Sequence, residues 1–173
     1  MTPAELETER LRLLRMSPDS AADADFTLSL LNDPDFVRAI ADRGVRSRDD
    51  ARAYLRERVV PAYAQGWGML RVELKASGES IGNCGLVRRE GLDGPDLGYA
   101  FLPAGRGRGY ALEAARAVLE EARERGIGRM LAIVNPDNAA SIALLQTLRF
   151  GFDRMIVLPG IDHALRLYSL PLE

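Results

Sequence analysis

A short segment with three alternating glycines and two arginines is the strongest chemical signal in the sequence. It runs Gly105-Arg106-Gly107-Arg108-Gly109, directly before a long amphipathic stretch typical of a helix. The first turn of a helix leaves backbone N–H groups unpaired and carries about half a positive charge, so it suits phosphate oxygens. Glycines let the backbone approach an anion closely, and arginines add charge-assisted donors. The segment therefore predicts a phosphate-binding site.

Two common nucleotide motifs do not fit this loop. A P-loop needs a Gly-Lys pair, and the chain has no such pair, since its one lysine is Lys75. The dinucleotide fingerprint G-x-G-x-x-G also fails, because the sixth residue is Tyr110 when counted from Gly105 and Leu112 when counted from Gly107. The loop also follows strands predicted to be antiparallel, whereas the fingerprint belongs to a mostly parallel sheet. Nucleoside triphosphates and nicotinamide cofactors are thus disfavoured.

The pattern R-x-x-G-x-A, formed by Arg106, Gly109 and Ala111, resembles the pyrophosphate-binding motif of the GNAT (GCN5-related) N-acetyltransferases. Further segments resemble the RimJ/RimL-like branch of that superfamily, in the same order along the chain. They are ETERLRL at 7–13, LGYAFLP at 97–103, GRGYALEA at 107–114, Asn135 followed by NAAS at 138–141, and DHAL at 162–165.

The resemblance implies a bacterial, cytoplasmic enzyme that transfers an acetyl group from acetyl-CoA directly to a primary amine, without a metal. The acceptor is either a protein N-terminal α-amine or a small-molecule amine. In the family, backbone N–H groups before and within the loop contact acetyl-CoA, and an asparagine binds its pantetheine arm. Carried over to this chain, the contacts are Phe101, Leu102, Arg106, Gly107, Arg108, Gly109, Tyr110, Ala111, Asn135, Asn138 and Ser141.

Catalytic residues are predicted less directly. Ser141 follows Asn138 by three residues, so both share one helix face, and its hydroxyl resembles the family's thiolate-stabilising serine. Alternatively, Ser141 satisfies backbone groups early in the helix. Many GNAT enzymes carry a tyrosine acid four residues further on, where this chain has Leu145. Asp96 holds the position of a family glutamate and is the predicted general base, with turn capping, Glu73 or a water chain as alternatives.

Two other functions compete with this interpretation. Cys84 and His163 are the residues available to a Cys/His hydrolase, although a small buried cysteine in a strand is the ordinary explanation of Cys84. The second is a GNAT fold that binds acyl-CoA without catalysis, as a sensor or interaction module, and the missing tyrosine acid keeps this alternative open. Turnover with an amine acceptor separates this second function from the enzyme.

Composition narrows the class of protein further. The 173 residues are 47% hydrophobic and 28% charged, with a formal net charge of −2, which suits a globular domain and disfavours general nucleic-acid binding. One Cys and one His exclude an intramolecular disulfide and zinc sites built from these residues alone. Residues 1–16 lack the apolar region of a signal peptide, and no run is long enough to span a membrane. We expect a cytoplasmic monomer or homodimer.

The elements that position the loop are predicted from periodicity. About seven strands and about four helices are predicted in one domain over 1–173, with a parallel pair of strands across the loop. The resemblance implies an α/β (α+β) GNAT fold, in which the sheet is mostly antiparallel and the parallel pair in its middle is splayed. Pro61 is expected to kink or end its helix. Arg149 stands where the family has a helix-ending glycine, and its loss costs an easy left-handed helix end unless Gly151 takes that role. Residues 21–65 and the last hairpin are predicted to form the acceptor pocket.

Overall fold

The computed structural model describes residues 5–173 and forms one eight-stranded sheet. Residues 1–16 were predicted not to form a signal peptide, and the first four of them lie outside the described range. The strands follow the order β1-β2-β3-β4-β5-β6-β8-β7. Their bounds are β1 (Leu6–Glu7), β2 (Leu11–Leu14), β3 (Gly68–Leu74), β4 (Ser80–Val87), β5 (Asp96–Phe101), β6 (Arg129–Val134), β7 (Gly151–Ile156) and β8 (Leu165–Pro171). Seven match the predicted strands, and the two-residue β1 is the addition.

The helices are α1 (Ala21–Leu31), α2 (Pro34–Ala39), α3 (Arg48–Tyr54), α4 (Val60–Ala64), α5 (Tyr110–Glu124) and α6 (Ala139–Thr147). A π-helical segment, Leu55–Val59, joins α3 to α4 in one continuous helix. Pro61 explains this wider winding, because it has no N–H to donate to the preceding turn and its ring crowds that turn. The predicted kink is therefore a π-helical insertion rather than a break.

The sheet carries a separate hydrophobic cluster on each face. α5 packs against β2, β4 and β5, and the cluster beneath it includes Leu97 and Phe101. The second cluster is built from α1 to α4, and Ala100 and Leu102 pack against it. Alternate residues of β5 thus reach opposite faces, as the two-residue period of a strand requires.

The parallel pair of strands is confirmed, and it is very short. β5 and β6 pair only at Asp96 and Leu131, where the Leu131 N–H donates to the carbonyl of Pro95 at 2.9 Å. Beyond that point the two strands separate, while every other neighbouring pair in the sheet is antiparallel. α5 and α6 follow the separated ends of β5 and β6. The splay therefore opens a slot between the starts of two helices.

α6 ends without the expected glycine. Arg149 adopts φ 69° itself, and Gly151 already lies in β7, so of the two alternatives left open above it is Arg149, and not Gly151, that takes the left-handed conformation. The Arg149 N–H donates to the carbonyl of Gln146 at 2.9 Å, which closes the last turn. A left-handed conformation costs a residue with a side chain about 1–2 kcal/mol, so this helix end is strained.

Candidate active site

The glycine loop presents a row of free backbone donors. Pro103–Gly105 forms a 3₁₀ turn, and Gly107 and Gly109 then adopt φ 74° and 80°. Within residues 5–173, the six backbone N–H groups from Gly107 to Leu112 have no hydrogen-bond partner. Gly109 precedes α5 without a side-chain cap, so the positive end of a 15-residue helix is open. This arrangement suits an anion that accepts several hydrogen bonds.

The Arg106 side chain, which was expected at the phosphate, is bound by other groups of the protein. Its guanidinium donates to Asp33 at 2.7 Å and to Asp35 at 2.5 Å, and its Nε donates to the carbonyl of Phe101 at 2.9 Å. The Arg106 backbone N–H donates to the carbonyl of Pro103 within the 3₁₀ turn. Arg106 therefore joins the loop to the start of α2. The pKa of Asp35 is lowered by its hydrogen bond to Arg38 and, secondly, by Arg106.

Arg108 differs from Arg106. Its side chain is exposed and has no hydrogen bond or ion pair within the described part of the chain. Of the two loop arginines, Arg108 is thus the one whose guanidinium is available to a phosphate.

The two predicted main-chain contacts of β5 have different surroundings. The Leu102 N–H donates to the carbonyl of Ile81 at 2.8 Å, so it points towards β4 and is already used. Because successive N–H groups of a strand point to opposite sides, the Phe101 N–H points into the slot beyond the parallel pairing. The geometry therefore supports a main-chain contact for Phe101 and leaves none for the Leu102 N–H.

Ser141 lies beside a tyrosine that the sequence analysis did not select. The Tyr99 hydroxyl is 2.5 Å from Ser141 Oγ, and burial raises the pKa of Tyr99 to about 12. The Asn138 side-chain oxygen caps α6 by accepting from the Ser141 N–H at 3.1 Å. Tyr99 could have been found from alternation, since it lies two residues before Phe101 and shares its face. A phenol thus reaches the site from β5, where the family tyrosine of α6 is replaced by the buried Leu145.

Asn135 and His163 form a chain across the end of β6. Asn135 Nδ2 donates to the carbonyl of Ala39, at the end of α2, at 2.5 Å. Its Oδ1 lies 2.8 Å from His163 Nε2, and His163 Nδ1 lies 3.0 Å from Asp162. The Asn135 side chain is therefore occupied by protein contacts. These contacts join α2 to the loop between β7 and β8, two segments predicted to form the acceptor pocket.

Asp96 is enclosed at the far end of β5. Its side chain is 1% exposed and forms an ion pair with Arg89 at 3.0 Å. Burial raises the pKa of Asp96, although Arg89 opposes the shift. Five residues separate Asp96 from Phe101, about 16 Å along a strand, and alternation places Asp96 on the face opposite Tyr99. Glu73, the alternative base, is 3.0 Å from Arg71. The structure thus gives both carboxylates arginine partners, and Asp96 as the base stays a prediction.

The residues of the hydrolase alternative do not form a nucleophilic pair. Cys84 is fully buried, and burial raises the pKa of its thiol to about 12, so it stays protonated. His163 is hydrogen-bonded to Asn135 and Asp162 instead. Among residues 5–173 there is no group of three or more His, Cys, Asp or Glu side chains placed to hold a metal. No helix in that range is long and apolar enough to cross a membrane.

A mostly antiparallel sheet, a splayed parallel pair and an open helix start after a glycine loop define an acyltransferase fold of the GNAT class. The family profile described as Acetyltransferase (GNAT) domain matches residues 10–151. The chain belongs to this family.

Individual proteins are similar to this chain over most of its length. The uncharacterized protein YkkB of Bacillus subtilis (strain 168) is 32% identical over 154 residues, which is 87% of each chain. An acetyltransferase from Agrobacterium tumefaciens str. C58 superposes with a TM-score of 0.78 at 23% identity, covering 98% of this chain and 95% of the other. RimL, a ribosomal L7/L12 alpha-N-protein acetyltransferase solved with coenzyme A, gives a TM-score of 0.79 at 18% identity and covers 95% and 96%.

Proposed function

We propose that this protein is an acetyl-CoA-dependent N-acetyltransferase that acts on a primary amine, either a protein N-terminal α-amine or a small-molecule amine. The observation that carries the proposal is the slot between β5 and β6. It has an open helix start and free loop N–H groups at one end and the Tyr99–Ser141 hydroxyl pair beside it. The slot thus offers donors for a pyrophosphate and a hydroxyl for a thioester sulfur.

Each part of acetyl-CoA finds a matching group in this chain. The backbone N–H groups of Gly107 to Leu112 hold the pyrophosphate, with the Arg108 guanidinium as an added donor. The Phe101 N–H contacts the pantetheine arm or the acetyl carbonyl in the slot. Asn138 Nδ2 has no partner among the described residues and donates to the pantetheine arm, while its Oδ1 caps α6. Arg106 and Asn135 shape the site through α2 rather than through side-chain contacts to the ligand.

The reaction is a direct transfer. The neutral amine nitrogen attacks the thioester carbonyl, a C–N bond forms, and the tetrahedral oxyanion collapses to break the C–S bond. Ser141 donates its proton to the departing sulfur, and Tyr99 replaces that proton from the other side. The high pKa of Tyr99 keeps it protonated at neutral pH, so it serves as a donor. The proton lost by the amine passes to solvent or a base, and solvent returns a proton to Tyr99, so the products are the amide and the free CoA thiol.

The acceptor approaches beneath α2. This helix is held at its start by Arg106 and at its end by Asn135, so it spans the opening between β5 and β6. Two exposed apolar side chains, Val37 in this helix and Ile40 directly after it, give this edge of the site a surface for an uncharged substituent of the amine. A cytoplasmic location, predicted from composition, belongs to the same proposal.

Binding and turnover test the proposal separately. Isothermal titration of acetyl-CoA measures binding, and detection of the free CoA thiol measures transfer to peptides with free N-termini and to small amines. The same peptides with acetylated N-termini are the control. We expect thiol release only with free amines, and a reduced kcat with little change in acetyl-CoA affinity for Ser141→Ala. Tight binding without turnover on any amine would show the non-catalytic sensor instead.

A further inference from the structure

The turn between β1 and β2 contacts the first turn of α5, which brings two of the sequence motifs together. Thr8 Oγ1 donates to Glu113 Oε1 at 2.5 Å. The Arg10 N–H donates to the same oxygen at 2.9 Å, and Arg10 Nε donates to Glu113 Oε2 at 2.6 Å. The segment ETERLRL therefore binds the glutamate of GRGYALEA, 103 residues further along the chain. Neither motif is isolated in the folded protein.

The remaining part of the Arg10 guanidinium reaches the glycine loop. NH1 donates to the carbonyl of Arg108 at 3.0 Å, and the guanidinium carbon lies 4.4 Å from the centre of the Tyr110 ring. NH2 lies 3.5 Å from the position that a Cβ on Gly109 would occupy. The Arg10 side chain thus contacts Arg108 and Tyr110, the residues on either side of Gly109, while Glu113 fixes the orientation of the guanidinium.

The bond to the Arg108 carbonyl sets the direction of a loop donor. In a planar trans peptide the C=O and the following N–H point in opposite directions. Because the Arg108 carbonyl is held towards Arg10, the Gly109 N–H must point away from Arg10 and out of the loop. That N–H is one of the free donors offered to an anion. Without Arg10 this peptide unit can rotate, and glycine makes the rotation easy.

Charge supplies a second reason for Arg10. Glu113 places a carboxylate in the first turn of α5, where it would repel a bound phosphate. Burial raises the pKa of Glu113, but the hydrogen bonds from Thr8 and Arg10 outweigh burial and lower it, so the carboxylate stays ionised at neutral pH. Arg10 neutralises this negative charge beside the anion site.

We infer that Arg10 is a positioning residue for the phosphates of acetyl-CoA, acting through the Arg108–Gly109 peptide and through Glu113. The inference rests on the proposed function for the identity of the ligand. It assigns the first hairpin, at the edge of the sheet, a part in coenzyme affinity.

Titration of acetyl-CoA into Arg10→Met and a matched variant tests the inference. Arg12→Met is the control, because Arg12 lies two residues away and pairs only loosely with Glu7 and Glu73, at 3.9 and 3.7 Å. We expect Arg10→Met to weaken binding about 10- to 100-fold, the range for a lost bond to a charged group, and Arg12→Met to change it less than about twofold. Equal effects of the two variants, or no effect of Arg10→Met, would overturn the inference.

A second donor separates positioning from general damage to the fold. S-acetyl-pantetheine carries the thioester without the phosphates, so Arg10→Met should lower kcat/KM for acetyl-CoA and leave kcat/KM for S-acetyl-pantetheine unchanged. Equal losses with both donors would contradict the inference.

The Gly109 amide resonance in an NMR spectrum tests the loop without any ligand, and its chemical shift should change in Arg10→Met but not in Arg12→Met. If wild type binds no acetyl-CoA, the proposed function fails, and this resonance still decides the role of Arg10.

Discussion

Replacing Arg106 with methionine is expected to lower stability more than coenzyme affinity. The change removes the guanidinium but keeps most of the apolar stem. Asp33, whose side chain is 7% exposed, loses its charged donor and keeps only the Phe36 N–H at 3.2 Å. Removing a hydrogen-bond donor from a buried carboxylate such as that of Asp33 costs about 1–3 kcal/mol, and the lost hydrogen bond to the Phe101 carbonyl adds about 0.5–1.5 kcal/mol. The Asp35 pair is exposed and is left out of the sum.

The expected loss in the free energy of unfolding is therefore about 2–4 kcal/mol, or about 5–15 °C in Tm for a chain of this length. Urea unfolding followed by circular dichroism measures it, and titration of acetyl-CoA measures affinity. Arg108→Met is the matched control. Its exposed side chain has no partner in the described range, so stability should change by less than about 0.5 kcal/mol while affinity falls. If Arg106→Met leaves stability unchanged and weakens acetyl-CoA binding more than Arg108→Met does, Arg106 contacts the phosphate and the reasoning fails.

Three further changes test individual residues. Tyr99→Phe should lower kcat about 3- to 10-fold with an unchanged KM for acetyl-CoA, since it removes one hydrogen bond to Ser141. For a peptide acceptor, kcat/KM of wild type should rise as the amine loses its proton, at a pKa of about 8, and then stay level to about pH 10 because Tyr99 keeps its proton. A fall in kcat/KM between about pH 8 and 10 that is absent from Tyr99→Phe would contradict this. Asp96→Asn tests the predicted general base: turnover should fall about 10²–10⁴-fold if Asp96 takes the proton of the amine, and a loss below about 10-fold would leave that role to Glu73 or a water chain. Burial raises the pKa of Asp96 in the folded state, so between pH 3.8 and the folded pKa the native protein holds a proton that the unfolded chain has lost. The stability of wild type should therefore fall as the pH rises through that range. Unfolding measured from acid to neutral pH should show a weaker dependence of stability on pH for Asp96→Asn. Arg149→Gly should stabilise the protein by about 0.5–1 kcal/mol in urea unfolding, because φ 69° suits glycine, and a loss of stability would show that the Arg149 side chain contributes contacts of its own.

Local features of the fold were predicted well because nearby residues decide them. Ser47 and Asn138 are residue types that favour helix starts, and each accepts from the backbone N–H three residues later. The glycine loop was placed before α5 from residue types alone, and its positive φ angles lie at Gly107 and Gly109. The parallel pair followed from a strand, helix, strand order, and its splay followed from the family resemblance. The recognised family supplied the direction of the whole sheet.

Side-chain partners from distant parts of the chain could not be predicted in this way. Arg106 was expected on a phosphate, yet its partner Asp33 is 73 residues earlier. Tyr99 reaches Ser141 across 42 residues, and no spacing rule connects a strand residue to a helix start that far away. Leu102 was named as a main-chain contact, but its N–H is used by Ile81, which depends on the register of β4 against β5.

The sequence by itself identified the family, through motifs that resemble it. It also determined the order of strands and helices and the position of the anion-binding loop, because these depend on periodicity, caps and glycines within a few residues. The tertiary structure alone decided which groups remain free to meet a ligand. An arginine or an N–H is available only if no other group satisfies it, and folding supplies those groups from remote segments. For this reason Arg108 and Phe101 remain open to acetyl-CoA, whereas Arg106 and Leu102 are bound within the protein.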